Sequence, residues 1–192
     1  MIIAIAGGTG SGKTTVANKI KELYTKESNI NVSIVSMDNY YKNSNVQVFD
    51  NYDHPNAFNM NLLYDDLFTY LSKGQMIQRS YDFVSKECST LRVENYVDIV
   101  ILEGLYPFYL EKIQNICTLK IFLDIDEKLR IERRVSRDLE ERGISLEENM
   151  KMIHSFVNEM YNEYVIKQRK MANRVFINNE ECEKYFSHSP LH

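Results

Sequence analysis

A chain of 192 residues, 44% apolar and 26% charged, has room for one core with a small insertion and reads as an ordinary globular domain. Its formal net charge of −4 gives no reason to expect nucleic acid or an acidic membrane as partner. Cys88, Cys117 and Cys182 are odd in number and far apart, which fits a reducing cytosol better than a disulfide framework and leaves no C-x-x-C pair for zinc.

In chain order, "MIIAIAGG" is apolar for six residues without a basic flank. It is too short for a signal peptide or a transmembrane span, so it predicts a buried strand at 2–6 and a cytoplasmic protein. The next stretch, "GGTGSGKTT", places Gly7, Gly12, Lys13 and Thr14 in the pattern G-x-x-x-x-G-K-T, directly before a predicted helix over 12–26. Glycines let backbone wrap phosphate oxygens without Cβ clashes, and the amides of the loop and helix start supply donors and partial positive charge. Gly7, Gly8, Thr9, Gly10, Ser11, Gly12, Lys13, Thr14 and Thr15 are therefore expected to hold a nucleoside triphosphate, ATP or GTP. Lys13 would reach the β- and γ-phosphates, and the Thr14 hydroxyl would ligate Mg²⁺.

A second strand, 31–36, leads to Asp38 in "VSMDNYY". Residues 51–58, "NYDHPNAF", set a carboxylate beside a histidine, open at this point to a metal, turn or recognition reading. Residues 59–73 have apolar Met60, Leu63, Leu67, Phe68 and Leu71 at roughly helical spacing. Residues 75–97 alternate only weakly and suit a small antiparallel hairpin. The strand at 98–103 ends on Glu103. Strands at 119–124 and 174–178 complete a set of five near-continuous apolar runs, the signature of strands buried on both faces. With the helices between them they predict an α/β fold: a three-layer P-loop architecture, 1–192 as a single domain, with a mostly parallel five-stranded sheet and a β-hairpin insertion.

In such a sheet the carboxyl ends of neighbouring strands open onto one crevice beside the phosphate loop. Glu103 is then placed as the acidic partner of Mg²⁺. Asp38 is placed to accept a hydroxyl proton and to touch the metal as well. The bland alternative for each is a cap or a solvated loop carboxylate. The segment 126–143 carries Arg130, Arg133, Arg134, Arg137 and Arg142, with Arg130, Arg134 and Arg137 on one helix face. Interleaved acidic residues suit a solvated, salt-bridged helix equally well as a lid over the triphosphate. A long amphipathic helix is expected over 146–171. A guanine-reading N-K-x-D is missing from the late strands, since "NKIK" at 18–21 lies in the first helix, which weakens a GTPase-switch reading and leaves an ATPase or a small-molecule kinase open.

Together these segments resemble the uridine kinase (uridine–cytidine kinase) branch of the phosphoribulokinase/uridine kinase family, in that family's order from Ile2 to about Asn178. "SMDNYYK" is similar to its D-x-x-Y segment, which implies Asp38 as general base and Tyr41 as a substrate contact. "NYDHPNAF" resembles its F-D-H-P-x-A-F, which assigns ribose binding to Asp53 with Tyr52 beside it. "YDFVS" looks like the hairpin on the base, implying Tyr81 and Phe83. "VILEGLYPFY" matches the strand ending at Glu103, and "RRVSRDLEERG" resembles the lid, implying Arg134 at the substrate and Arg137 and Arg142 at the nucleotide. Lys86 stands where the family usually has a base-contacting histidine, Ile144 where it commonly has arginine, and Met152 where glutamine is expected. The resemblance implies Mg²⁺-dependent transfer of the γ-phosphoryl of ATP or GTP to the 5′-hydroxyl of uridine or cytidine. Its partner would be a small molecule, a nucleoside or related metabolite, with a homo-oligomer as a possible assembly. The alternatives are a same-fold kinase for another small hydroxylated metabolite, to which Lys86 would bring a positive charge, and a nucleotide-binding module without kinase activity.

Overall fold

The computed structural model describes residues 1–28, 30–43 and 51–188, with Glu27, Ser28 and Arg142 described by their backbone only. The chain runs β1 (Ile2–Gly7), α1 (Lys13–Ser28), β2 (Val32–Ser36), α2 (Met60–Lys73), β3 (Met76–Asp82), β4 (Glu87–Glu94), β5 (Ile99–Gly104), α3 (Glu111–Gln114), β6 (Leu119–Leu123), α4 (Glu127–Arg142) and α5 (Leu146–Met152). Helical structure continues through α6 (Asn158–Met160) to Met171, and β7 (Arg174–Phe176) and α7 (Asn179–His188) close the order. The expected helix over 146–171 is thus present, but wide π-type turns interrupt it at Ile153–Val157 and Tyr161–Val165.

Five strands form one sheet in the order β2-β5-β1-β6-β7, every pairing parallel. β1 shows why a continuous apolar run was needed. Ile2, Ala4 and Ala6 join one buried layer with Leu63, Leu67 and Phe108, while Ile3 and Ile5 join the other with Val16, Ile20 and Phe186. Both faces are covered by helices, as parallel sheets require. β3 and β4 make a separate antiparallel hairpin, as the weak alternation of 75–97 suggested.

Local chemistry sets the helix ends. The Asn59 side chain accepts from the Leu62 amide at the start of α2, and Gly74, at φ 66°, closes its end. Asp126 caps α4, and Ser145 with Glu148 forms a reciprocal capping box on α5. The face that α2 buries differs from the expected one: Phe68 and Leu71 are 57% and 48% exposed, whereas Leu63, Asp66, Leu67 and Tyr70 are buried. Two polar side chains occupy the inner stripe because partners await them there, so an apolar-only reading rotates the helix by part of a turn. Among the described residues, no helix is long and apolar enough to cross a membrane.

Candidate active site

The carboxyl ends of β1, β2 and β5 converge on a cleft of about 460 Å³. Thr9, Gly10, Lys13 and Thr14 line its floor, Ser36, Asp38 and Glu103 one wall, and Arg134 and Arg137 its roof. In-register pairing of Ser36 with Glu103, and of Ile5 with Glu103, brings the ends of β2 and β5 alongside the loop that leaves β1. Lys13 Nζ donates to the Gly8 carbonyl at 2.8 Å, folding the loop over itself. Burial pulls the Lys13 pKa down, opposed by the charges of Glu103 and Asp38. The Thr14 hydroxyl donates to Glu103 Oε1 at 3.2 Å. Burial also raises the Glu103 pKa, with Lys13 acting against it.

The loop is seated on α4. A Cβ on Gly10, whose φ is +72°, would stand 2.0 Å from the Arg130 carbonyl oxygen, and one on Gly8 would stand 2.3 Å from Arg130 Nη1. Arg130 is 2% exposed, its Nε donating to the Ile125 carbonyl at 3.0 Å and its guanidinium lying 4.0 Å from the Tyr161 ring centre. The arginine face read from the sequence is therefore split. Arg130 underpins the loop, while Arg134 and Arg137 point into the cleft.

Asp138 holds those two in place. It is fully buried and accepts from Arg137 Nε and Nη2 at 3.0 and 2.7 Å, while its second oxygen lies 3.3 Å from Arg134 Nε. Arg134 Nη1 in turn lies 3.3 Å from Thr9 Oγ1 and 3.7 Å from Asp53 Oδ1. One guanidinium thus touches the phosphate loop, the buried carboxylate of α4 and the far wall. The side chain of Arg142 lies outside the described residues.

On the far wall, Asn51, Tyr52 and Asp53 line the cleft together with Tyr41 and Phe83. The Asp53 amide donates to Asn51 Oδ1 at 2.9 Å, and Tyr106 donates its hydroxyl to the Asp53 carbonyl. Burial raises the Asp53 pKa, with Arg134 opposing. His54 works as a brace rather than a ligand: Nδ1 accepts from the Asn56 amide at 3.0 Å and Nε2 lies 3.4 Å from Tyr164 Oη. Tyr41 stacks on Phe58 at 4.4 Å and meets Tyr52, Tyr81 and Phe83 at 5.5, 5.3 and 5.9 Å. Tyr81 is buried behind this wall. Lys86 sits in the hairpin turn at φ 56°, exposed, with Nζ 5.9 Å from the Tyr52 ring centre; it lies outside the residues lining the cleft. Ile144 and Met152 line it with Phe156, an apolar strip of the cleft.

Three contributors escaped the sequence reading. Asp138 looked like one more interleaved acid. Tyr106 stands in "VILEGLYPFY" with no role assigned from the sequence. Asn179 opens α7 and donates Nδ2 to the Ser11 carbonyl at 2.8 Å while accepting from Arg133 Nη1 at 2.9 Å, a contact between segments no local pattern announces.

The model of the phosphoribulokinase / uridine kinase family matches residues 2–182. Proteins named uridine kinase from Lactobacillus johnsonii and Clostridium novyi are 37% identical over 180 residues and 36% over 183; each match covers 90% of this chain, and 84% and 85% of the relative. The solved structure of phosphoribulokinase from Rhodobacter spheroides superposes with a TM-score of 0.68 at 16% identity, over 94% of this chain and 73% of that one. D-glycerate 3-kinase from Cryptococcus neoformans gives 0.63 at 14% identity, over 85% and 78%. At such identities the structural likeness speaks for the fold, while the family match spans phosphate loop, both carboxylate walls and lid. This chain belongs to the phosphoribulokinase / uridine kinase family.

Proposed function

We propose that the protein is an ATP-dependent uridine kinase that phosphorylates the 5′-hydroxyl of uridine or cytidine. The observation that carries the reading is a single cleft in which the phosphate loop and Lys13 face Asp38, Asp53 and an aromatic wall of Tyr41, Tyr52 and Phe83. Relatives named uridine kinase support the same acceptor.

Lys13 and the amides of residues 7–15 bind the triphosphate, Lys13 exchanging its Gly8 partner for phosphate oxygens. Asp53 holds the sugar diol, with Tyr52 and Phe83 around the nucleoside, Tyr41 at its edge and Tyr81 packed behind them as support. Asp38 accepts the 5′-hydroxyl proton as that oxygen bonds to the γ-phosphorus and the bond to the β,γ-bridging oxygen breaks, giving ADP and the nucleoside monophosphate. Arg134, Arg137 and Arg142 offset the spreading charge and exclude water. The donor set fits Mg²⁺: the Thr14 hydroxyl and the Glu103 carboxylate offer hard oxygens 3.2 Å apart, with Asp38 on the same wall. Mg²⁺ is commonly bound through one or two protein oxygens together with substrate phosphates, and Thr14 and Glu103 would serve as that pair. When bound, Mg²⁺ would supply charge neutralisation at the phosphate oxygens.

The apolar strip of Ile144, Met152 and Phe156 is the observation that keeps a second acceptor class open, another small hydroxylated metabolite of less polar outline. A panel of nucleosides and hydroxylated metabolites, scored by ADP release, decides. Uridine or cytidine should give the highest kcat/KM, and Asp38→Asn should lower kcat about 10²–10⁴-fold with ATP binding retained. No turnover of any pyrimidine nucleoside would refute the assignment.

A further inference from the structure

Buried Tyr40 and Asp66 and partly buried Arg79 form a set that the phosphoryl-transfer chemistry leaves unused. Arg79 donates through Nε and Nη2 to the two oxygens of Asp66 at 2.5 and 2.8 Å, and through Nη1 to Thr90 Oγ1 at 3.2 Å. The Tyr40 hydroxyl donates to Asp66 Oδ2 at 3.0 Å. Tyr40 and Asp66 are 1% and 2% exposed. Three segments meet here: α2 supplies Asp66, β3 supplies Arg79, and Tyr40 ends the short 3₁₀ helix Met37–Tyr40 that carries Asp38. β3 is irregular at this point, its register against β4 shifting between Gln78 and Arg79. Such an irregularity re-aims neighbouring side chains. Gln78 reaches across to Ser33 Oγ of β2 at 2.6 Å, while Arg79 reaches α2. Beyond this double anchor the same strand delivers Tyr81 and then Phe83 to the Tyr41 cluster.

We propose that Asp66, Arg79 and Tyr40 act as positioning residues for the acceptor, fixing the hairpin wall of Tyr81 and Phe83 relative to the helix that bears Asp38. The inference rests on the nucleoside kinase reading above. Tyr40 lies two residues after Asp38 and Arg79 four before Phe83, so loosening the ring displaces both the base and the wall that faces it. The phosphate loop has its own seat on Arg130 and stays where it is. A buried ion pair is a poor source of net stability, and well-packed apolar replacements are often neutral or better. A two-pronged guanidinium–carboxylate contact does fix the mutual orientation of the elements it joins, and a misplacement of about 1 Å can lower a rate about 10²-fold.

The test compares wild type with Arg79→Lys, Tyr40→Phe and the double variant Asp66→Leu/Arg79→Leu, by steady-state kinetics in uridine and ATP, thermal unfolding and amide hydrogen exchange. In the double variant, Tm should stay within about 5 °C of wild type. Its kcat/KM for uridine should fall about 10–100-fold while KM for ATP changes less than about twofold. Arg79→Lys keeps the charge without the fork and should fall between the two, with Tyr40→Phe showing the smallest loss. Exchange should quicken in residues 37–41 and 81–88 and stay unchanged in 7–15. A double variant with wild-type kcat/KM for uridine, or one that loses ATP and uridine parameters in parallel, overturns the inference. Should that variant fail to fold, Arg79→Lys carries the same two outcomes. A wild type inactive on every nucleoside overturns the functional reading instead, and the exchange pattern then decides the positioning role by itself.

Discussion

On the donor side of the cleft, the groups that would meet phosphate come from nine consecutive residues, 7–15, and much of their chemistry is backbone amide and helix start. On the proposed acceptor side, Tyr41, Asp53, Phe83, Ile144 and Met152 come from five separate segments and face the cleft with their side chains. A contiguous loop that works through its backbone needs little more than glycines and one lysine at fixed spacing. A wall assembled from distant side chains can change its specificity one residue at a time, which is how a chain can keep its phosphate apparatus intact while carrying Ile144 and Met152 in the cleft. Arg134 is the exception to the division, since it reaches Thr9 on one side and Asp53 on the other.

The largest effect should come from breaking that exception. Asp138→Ala removes the buried partner of both lid arginines and should cost about 3–5 kcal/mol of stability. It should also weaken both substrates together, read as raised KM for ATP and for uridine; a loss confined to one substrate would place the arginines wholly on one side. Gly10→Ala acts on the donor side alone. A left-handed φ and a Cβ 2.0 Å from the Arg130 carbonyl predict a loss of about 2–4 kcal/mol, with ATP affinity falling and nucleoside affinity, measured calorimetrically, unchanged.

The smallest effect has the opposite sign. Because burial raises the Asp53 pKa, the folded state binds that proton more tightly than the unfolded chain, and stability falls as pH rises through the window above the ordinary carboxylate range. Asp53→Asn should therefore stabilise at neutral pH, by about 0.5–2 kcal/mol, as replacement of a strained site residue often does. The gain should vanish below the ordinary carboxylate pKa, while KM for uridine rises and KM for ATP does not. Thermal unfolding of both proteins from about pH 3 to 8 checks it; a gain that is flat across this range would remove the charge from the explanation.

The same division governs what could be read from residues alone. Strands buried on both faces, the loop after β1 and the acid at the end of β5 are local patterns, and the fold followed from them. Asp53 and the aromatic wall emerged through resemblance, because nothing in "NYDHPNAF" states what lies opposite it. In the structure its histidine braces the turn and its aspartate faces Arg134. Asp66 and Asp138 were illegible for different reasons: the arginine that makes a charge tolerable at Asp66 comes from another element, Arg79 of β3, whereas Asp138 has Arg134 and Arg137 one turn and one residue before it on α4, a spacing that reads the same for a solvated pair as for a buried one. Lys86 shows the converse. A position matched in a motif fixes the place in the chain, while the hairpin turn decides where the ammonium points, here over the Tyr52 ring.

The seating of Gly8 and Gly10 against Arg130 also shapes inheritance. A side chain at either glycine meets the arginine at once, and movement of the arginine would unsettle the loop that rests on it. Gly10 is the more constrained of the two, because its obstacle is backbone that no substitution at position 130 removes, whereas the obstacle at Gly8 is the end of the Arg130 side chain. A phosphate loop grafted from another kinase would therefore bring only half of its fit, however closely its letters matched.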